Sequence, residues 1–219
     1  MKAGDIEDLF RLEVDDTVEP HLWSAEEALE YLNDAQNEAA RRIRAFIDST
    51  TTAVTQVSVP TTGIAALDPR VLFVRKVRFQ GRAPLRRMNM QDMEAHDPMW
   101  EDAAASTYPE AFIPDWESGK LRFHPKPQAQ LTALLTVVRD PLEEVNSRDD
   151  TPELPSRYHR ALRHWMAYRA YMKPDEESYD QKRALEQMKL FEMEFGPKST
   201  AIDELWIERE QYEGDGSYG

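Results

Sequence analysis

Cysteine is absent from this chain, so thiolate metal sites and disulfides are excluded, and histidine and carboxylate are left as the groups that could ligate metal or move protons. The histidines are His21, His96, His124, His159 and His164. His159 and His164 are five apart, which sets them roughly 140° apart on a helix and spoils them as a ligand pair. The stretch "HDPMWED" offers His96, Asp97, Glu101 and Asp102, but Pro98 interrupts it and no fixed ligand geometry follows, so a polar loop is the reading. There is no G-x-S-x-G, no glycine-rich phosphate loop and no H-E-x-x-H. Adjacent acids such as Glu26-Glu27 and Glu143-Glu144 read as solvated faces in a chain with 41 acidic residues. No catalytic, cofactor or metal site is therefore expected.

The densest chemistry lies in "ELPSRYHRALRHWMAYRAYM", residues 153–172. It holds four arginines, two histidines, three tyrosines and a tryptophan, and no acid after Glu153. Projected on a helix, Tyr158, Ala161, Leu162, Trp165, Met166, Tyr168 and Met172 share a broad apolar sector. Arg157, Arg160, Arg163 and His164 gather on the other side. The aromatics thus read as core rather than as base-stacking platforms. Arg169 falls inside the apolar sector, where a charge needs a partner. The expected partner is an acid of the 24–47 helix or of a neighbouring chain. The basic side is either solvated or meets an acidic surface of another subunit. DNA ranks last for it, because four charges on one helix make a small footprint.

The charge of the whole chain sets that segment in context. Net charge is −14. Residues 1–50 carry 5 basic and 13 acidic side chains, residues 51–139 carry 11 and 9, and residues 140–219 carry 11 and 19. Both ends are acidic and the middle is not, a balance that disfavours general phosphate binding. With 41% hydrophobic residues a real core is available. No apolar run approaches the roughly 18–20 residues of a bilayer span, so no membrane association is expected. "MKAGDIEDLF" lacks the apolar region of a signal peptide.

The elements that must position these residues alternate in period. Ile6, Leu9, Phe10 and Leu12 predict a short helix over 5–13. Ser24 and Glu27 form a capping box, and Leu29, Leu32, Ala39, Ile43, Phe46 and Ile47 continue a helical stripe to about 47. "TTTAVTQVSVP" shifts to β-branched residues and predicts a strand. A second strand places Val71, Phe73, Val77 and Phe79 on one face and turns at Gln80-Gly81. "AFIPDWESGKLRFHPKP" reads as a hairpin turning at Glu117-Ser118-Gly119, with Leu121 and Phe123 on one side and Lys120, Arg122 and His124 on the other. "QLTALLTVVRDP" is a more buried strand, and "NMQDMEAHDPMWEDAAAS" a polar connection with a helical turn near 90–95. After an Asp- and Pro-rich loop, helices are predicted over 156–172 and 178–195. The second carries Ala184, Met188, Phe191 and Phe195 and stops at Gly196-Pro197. The fold class is α+β: a helical bundle from segments 1–50 and 141–196, with an antiparallel β-module inserted at 51–140. Residues 197–219 form a C-terminal segment in which Ile202, Leu205, Trp206, Ile207, Tyr212 and Tyr218 read as docking anchors for a partner.

Taken in order, "LWSAEEALEYLNDAQNEAARRIRAFIDSTT", "LDPRVLFVRKVRFQGRAPLRRMN", "ELPSRYHRALRHWMAYRAYM" and "LFEMEFG" resemble the head–tail adaptor (connector) proteins of tailed bacteriophages. Trp23, Ser24, Asn33, Ala35, Leu154, Pro155, Tyr158, His159, Trp165, Tyr168, Arg169, Tyr171 and Gly196 match the pattern, which covers about residues 5–196. The resemblance implies a structural virion protein at the neck, assembled in the host cytoplasm. It implies a homo-oligomeric ring, twelve subunits by expectation, stacked below the portal protein. Such a ring extends the channel through which double-stranded DNA passes without specific binding, and offers a surface to a tail tube or nozzle protein. By the same analogy the 197–219 segment reaches the portal. The unpaired charge gathered on one helix separately leads to the expectation that Arg157, Arg160, Arg163 and Arg169 form ion pairs within or between subunits. Two other readings fit the residues: a stopper or tail-completion protein, and a soluble enzyme whose catalytic groups converge from distant segments.

Overall fold

The computed structural model describes residues 1–174 and 178–198. Its helices are α1 (Ala3–Glu13), α2 (Ala25–Ile43), α3 (Thr52–Thr55), α4 (Met90–His96), α5 (Leu162–Tyr171) and α6 (Gln181–Phe195). Its strands are β1 (Phe46–Asp48), β2 (Gln56–Val59), β3 (Ile64–Ala66), β4 (Val71–Phe79), β5 (Arg86–Arg87), β6 (Ala111–Glu117), β7 (Lys120–His124) and β8 (Leu131–Arg139). The fold is α+β, and the chain divides into two compact units. One joins Met1–Ile43 to Glu143–Gly219; the other is Arg44–Leu142.

In the helical unit, α1 is phased differently from its apolar pattern. Leu9 is half-buried and Leu12 is 63% exposed, while Glu7 and Arg11 lie inside with Ile6 and Phe10. Two polar residues take the inward face because they satisfy each other. Arg11 donates from Nε to Glu7 Oε1 at 2.9 Å, and from Nη1 to Asp16 Oδ2 at 2.7 Å and to the Trp23 carbonyl at 3.1 Å. A buried cation held this way avoids the penalty of an unpaired one.

Helix α2 begins at the predicted capping box. The Glu27 amide donates to Ser24 Oγ at 3.1 Å, and the Ser24 amide to Glu27 Oε2 at 3.0 Å. It ends at Ile43, short of 47, because Arg44 adopts φ +49° and turns the backbone out of the helix. Phe46 and Ile47 then pair with β8 instead of lengthening the stripe.

Two amides on the buried side of α2 hold the returning chain. Asn33 exchanges both of its side-chain hydrogen bonds with the Val145 backbone, at 2.9 and 2.8 Å. Gln36 Oε1 accepts the Leu154 amide at 3.3 Å. The same loop meets the start of α1, where the Gly4 amide donates to the Arg148 carbonyl at 2.8 Å. A Cβ on Gly4 would stand 3.2 Å from that carbonyl oxygen, so the close approach favours glycine.

The predicted 156–172 helix is two pieces. Ser156–Ala161 is a 3₁₀ turn, and the α-helix starts at Leu162. His159 is buried there, with Nε2 2.5 Å from the Leu154 carbonyl oxygen. The core side of α5 is Leu162, Met166, Ala167, Ala170 and Tyr171. Tyr158, Trp165 and Tyr168 are half-buried rather than central, and Met172 is exposed. Helix α6 starts at Gln181, three residues after the predicted start, capped by Asp180, whose carboxylate accepts the Arg183 amide at 3.0 Å. It buries Ala184, Gln187, Phe191 and Phe195 and stops at Gly196 with φ +81°.

The other unit is built on β8. Strand β4 pairs along one edge of β8, while β1 and β2 lie end to end along the other, all antiparallel. A second sheet runs β3-β7-β6-β5, in which β5–β6 is parallel. Val57, Val59, Val77, Phe79, Phe112, Leu121, Phe123, Leu135 and Val137 share one core cluster.

Three expectations change here. The β-branched run at 52–55 forms the helical turn α3, because Asp48 Oδ1 accepts the Thr50 and Thr51 amides at 2.9 and 3.0 Å and turns the chain before β2. Strand β4 does not alternate cleanly: register shifts after Val71 and Val74 bury Val74, Val77 and Phe79 and leave Phe73 at an intermediate position. The connection after β5 is not simply polar. Met88, Met93 and Trp100 join Ala111 and Ile113 in a second apolar cluster, and Trp100 packs edge-on to Trp116 at 5.5 Å. Part of that cluster meets the face of β7 that carries Arg122 and His124. Arg122 lies over the Trp100 and Trp116 rings, its Nη1 donates to the Thr62 carbonyl at 2.6 Å, and burial lowers its pKa.

Candidate functional site

The four arginines of residues 157–169 occupy different environments. Arg169 meets an acid of its own chain: Nη1 donates to Asp34 Oδ2 on α2, and the guanidinium lies 5.6 Å from the Tyr31 ring centroid. Both partners are about a third exposed, so Arg169 sits at the margin of the apolar sector and not in its depth. One further pair, Lys173 with Glu27 at 2.5 Å, joins the same elements. Asp34 and Glu27 are two turns apart on α2, and their partners run in the opposite order, so α2 and the α5 segment lie antiparallel along this seam. The Lys173 ammonium and the Ser24 amide lower the Glu27 pKa, and burial raises that of Tyr31.

Arg163 and Arg160 border an open cleft of about 440 Å³ whose other lining residues are Leu9, Leu12 and Glu13. Glu13 organises its floor. Glu13 Oε2 accepts Arg163 Nε at 3.2 Å, and Oε1 accepts Gln187 Nε2 at 2.7 Å; Gln187 in turn lies 2.7 Å from His164 Nδ1. Arg163 also donates from Nη1 to the Arg160 carbonyl at 2.7 Å, which leaves the exposed Arg160 and Leu12 at the rim. Arg157 is exposed and lies 4.7 Å from the Tyr158 ring centroid. Apolar periodicity alone hides this cleft, because it groups Leu12 on one helical face with Ile6, Leu9 and Phe10. Its exposure beside two cations is what marks the surface: apolar anchor, flanking charge and no catalytic pairing.

Arg42 fixes the end of α6. Its side chain is 2% exposed and donates from Nε to Glu38 Oε1 at 2.8 Å and from Nη1 to the Gly196 carbonyl at 2.8 Å. The guanidinium lies 5.0 Å from the Phe191 centroid and 5.5 Å from that of Trp165. A cation at a helix C-terminus satisfies a free carbonyl and complements the dipole. Its position sets the point from which the chain leaves α6. The outer side of α6 carries exposed Leu185, Leu190 and Met193, the last 82% exposed. The docking anchors expected in the tail, Ile202, Leu205, Trp206, Ile207, Tyr212 and Tyr218, lie outside the described residues.

No three His, Asp or Glu side chains converge as metal ligands among the described residues. His124, the histidine of the β-unit whose pKa shifts, is lowered by burial beside Trp100, against a smaller opposing pull from Asp97. No described helix is long and apolar enough to cross a membrane.

These surfaces lie on an α+β scaffold. Residues 1–216 match the family model described as the SU10 adaptor protein, and the chain belongs to that family. It is a family of bacteriophage head–tail adaptors, structural virion components and not an enzyme family. No individual curated protein matches the chain.

Proposed function

We propose that this chain is the head-to-tail adaptor of its phage, a homo-oligomeric ring, twelve subunits by expectation, seated beneath the portal protein. The ring extends the DNA channel and gives a tail tube or nozzle protein its attachment surface. The observation that carries this reading is the family match along almost the whole chain, residues 1–216. The geometry supports it in three ways. The rigid α2–α5 seam keeps Arg169 engaged within the subunit through Asp34. The cleft of Leu9, Leu12, Arg160 and Arg163 offers an apolar seat with cationic flanks to an acidic neighbour. Arg42 anchors the end of α6 at Gly196, and portal docking falls to the anchors that follow in the sequence, which lie outside the described residues.

Double-stranded DNA passes the ring without sequence-specific contact. The test is co-assembly of the purified chain with the portal of the same phage, imaged by electron microscopy. A symmetric ring added to one face of the portal is expected. An unchanged portal, with the chain left free at micromolar concentration, would refute the reading.

A further inference from the structure

One surface of the β-unit contradicts the charge of the rest of the chain. From Val71 to Met90 there is no acidic residue, while Arg75, Lys76, Arg78, Arg82, Arg86 and Arg87 are basic. Arg75, Lys76, Arg78, Arg82 and Arg86 are all exposed. The register shift after Val74 turns Val77 and Phe79 into the core, so Lys76 and Arg78 point away from it together. Two residues of strand separate them, about 6.6 Å.

The chain then doubles back along the free edge of β4. Leu85 donates its amide to the Val77 carbonyl at 2.8 Å, and Pro84 bridges Arg78. The same antiparallel register carries Arg86 toward Lys76. Among the described residues none of Arg75, Lys76, Arg78 or Arg86 is ion-paired, whereas Arg148, Arg163, Arg169 and Lys173 of the helical unit each hold an acid. Like charges brought together across a ladder destabilise it unless an anion sits between them.

We propose that this strip binds the phosphate backbone of double-stranded DNA, without sequence preference. A second candidate for such a strip is an acidic protein surface. Protein interfaces of that kind are built around apolar anchors. None of the exposed large apolar side chains lies between Ile47 and Met99, so the strip presents cations and no anchor. A regularly charged polyanion needs no anchor. Four of the five exposed cations are arginine, whose planar fork matches a phosphate. The inference does not rest on ring formation or on portal binding.

The test uses the full-length free protein and a fluorescently labelled duplex of about 25 base pairs of arbitrary sequence, followed by anisotropy. Binding is expected at low salt. With three to four phosphates engaged, log K should fall with log salt at a slope of about −3. The combined K76Q, R78Q and R86Q variant should lose at least tenfold in affinity, with an unchanged melting temperature because all three side chains are exposed. R78Q alone should lose part of it, and R157Q together with R160Q should lose none. No binding by the unaltered protein at low salt would overturn the proposal, as would equal binding by the triple variant. So would a glutamate oligomer of equal charge that binds the strip as tightly as the duplex, which would assign it to an acidic protein.

Discussion

At the scale of single residues, buried ion pairs carry the largest individual effects. Asp48 and Arg139 are both nearly inaccessible and meet at 2.8 Å between β1 and β8. Burial alone would raise the Asp48 pKa, but the Thr51 and Thr50 amides and the Arg139 guanidinium together hold it far below the ordinary carboxylate value. Asp48→Ala removes the Asp48 carboxylate from the buried Arg139 and the acceptor of the Thr50 and Thr51 amides, and should cost about 3 kcal/mol, read by urea unfolding. The pH dependence has a definite sign. A depressed carboxylate contributes fully above its unfolded pKa of about 4 and loses that contribution as pH falls through its folded value. The acid limb of stability should therefore be shallower in the Asp48→Ala variant. Asp68, held down to about 2 by the hydrogen bond from Arg70, loses its smaller contribution between about pH 4 and about pH 2, and Asp68→Asn should flatten that window. In the helical unit, Arg42→Met removes the donor to Gly196 and strands Glu38. It should cost about 2–3 kcal/mol, and hydrogen exchange should rise in the last turn of α6 before elsewhere in that helix.

At the scale of elements, the sequence was most informative where a cap or turn residue agreed with the period. Ser24 with Glu27 located the start of α2, and Gly119, with φ +71°, closes the β6–β7 hairpin where the turn was read. Nothing lies within 4 Å of a Cβ at Gly119, so Gly119→Ala should cost about 1 kcal/mol through backbone conformation alone, measurable by thermal unfolding. Legibility failed where polar residues replaced apolar ones inside. Glu7 and Arg11 took the core side of α1, and Leu12 was left outside, because a satisfied ion pair hides from an apolar count. It failed again at Arg44, a non-glycine residue at positive φ that stops α2 without any sequence signal. Phe46 and Ile47 suit a strand as well as a helix, and only pairing with β8 decides between them. For the candidate site, the need of Arg169 for an acid was readable from its place in the helical projection. Which acid was not, since Asp34 is one of several on α2. The cleft beside Arg160 and Arg163 was not legible at all, because it depends on the true phase of α1.

At the scale of the molecule, the two units differ in charge and in the way they handle it. The helical unit pairs its cations with acids, many across long sequence separations, such as Arg148 with Glu7 and Arg163 with Glu13. The β-unit leaves a row of cations open on β4 and its return arm. The helical cleft and the β-strip belong to different units, so the two proposed surfaces are separable by mutation. Leu12→Glu, at an exposed position, should change unfolding stability by less than about 1 kcal/mol while blocking oligomerisation. Sedimentation velocity of the portal mixture would read that loss.

The central claim is the ring on the portal, and the number of copies per portal tests it most directly. Cryo-electron microscopy of the chain mixed with its portal should show a closed symmetric ring, twelve copies by expectation, on the portal face opposite the capsid interior. A portal without added density would contradict the claim, and so would the same chain found only at the distal end of the tail.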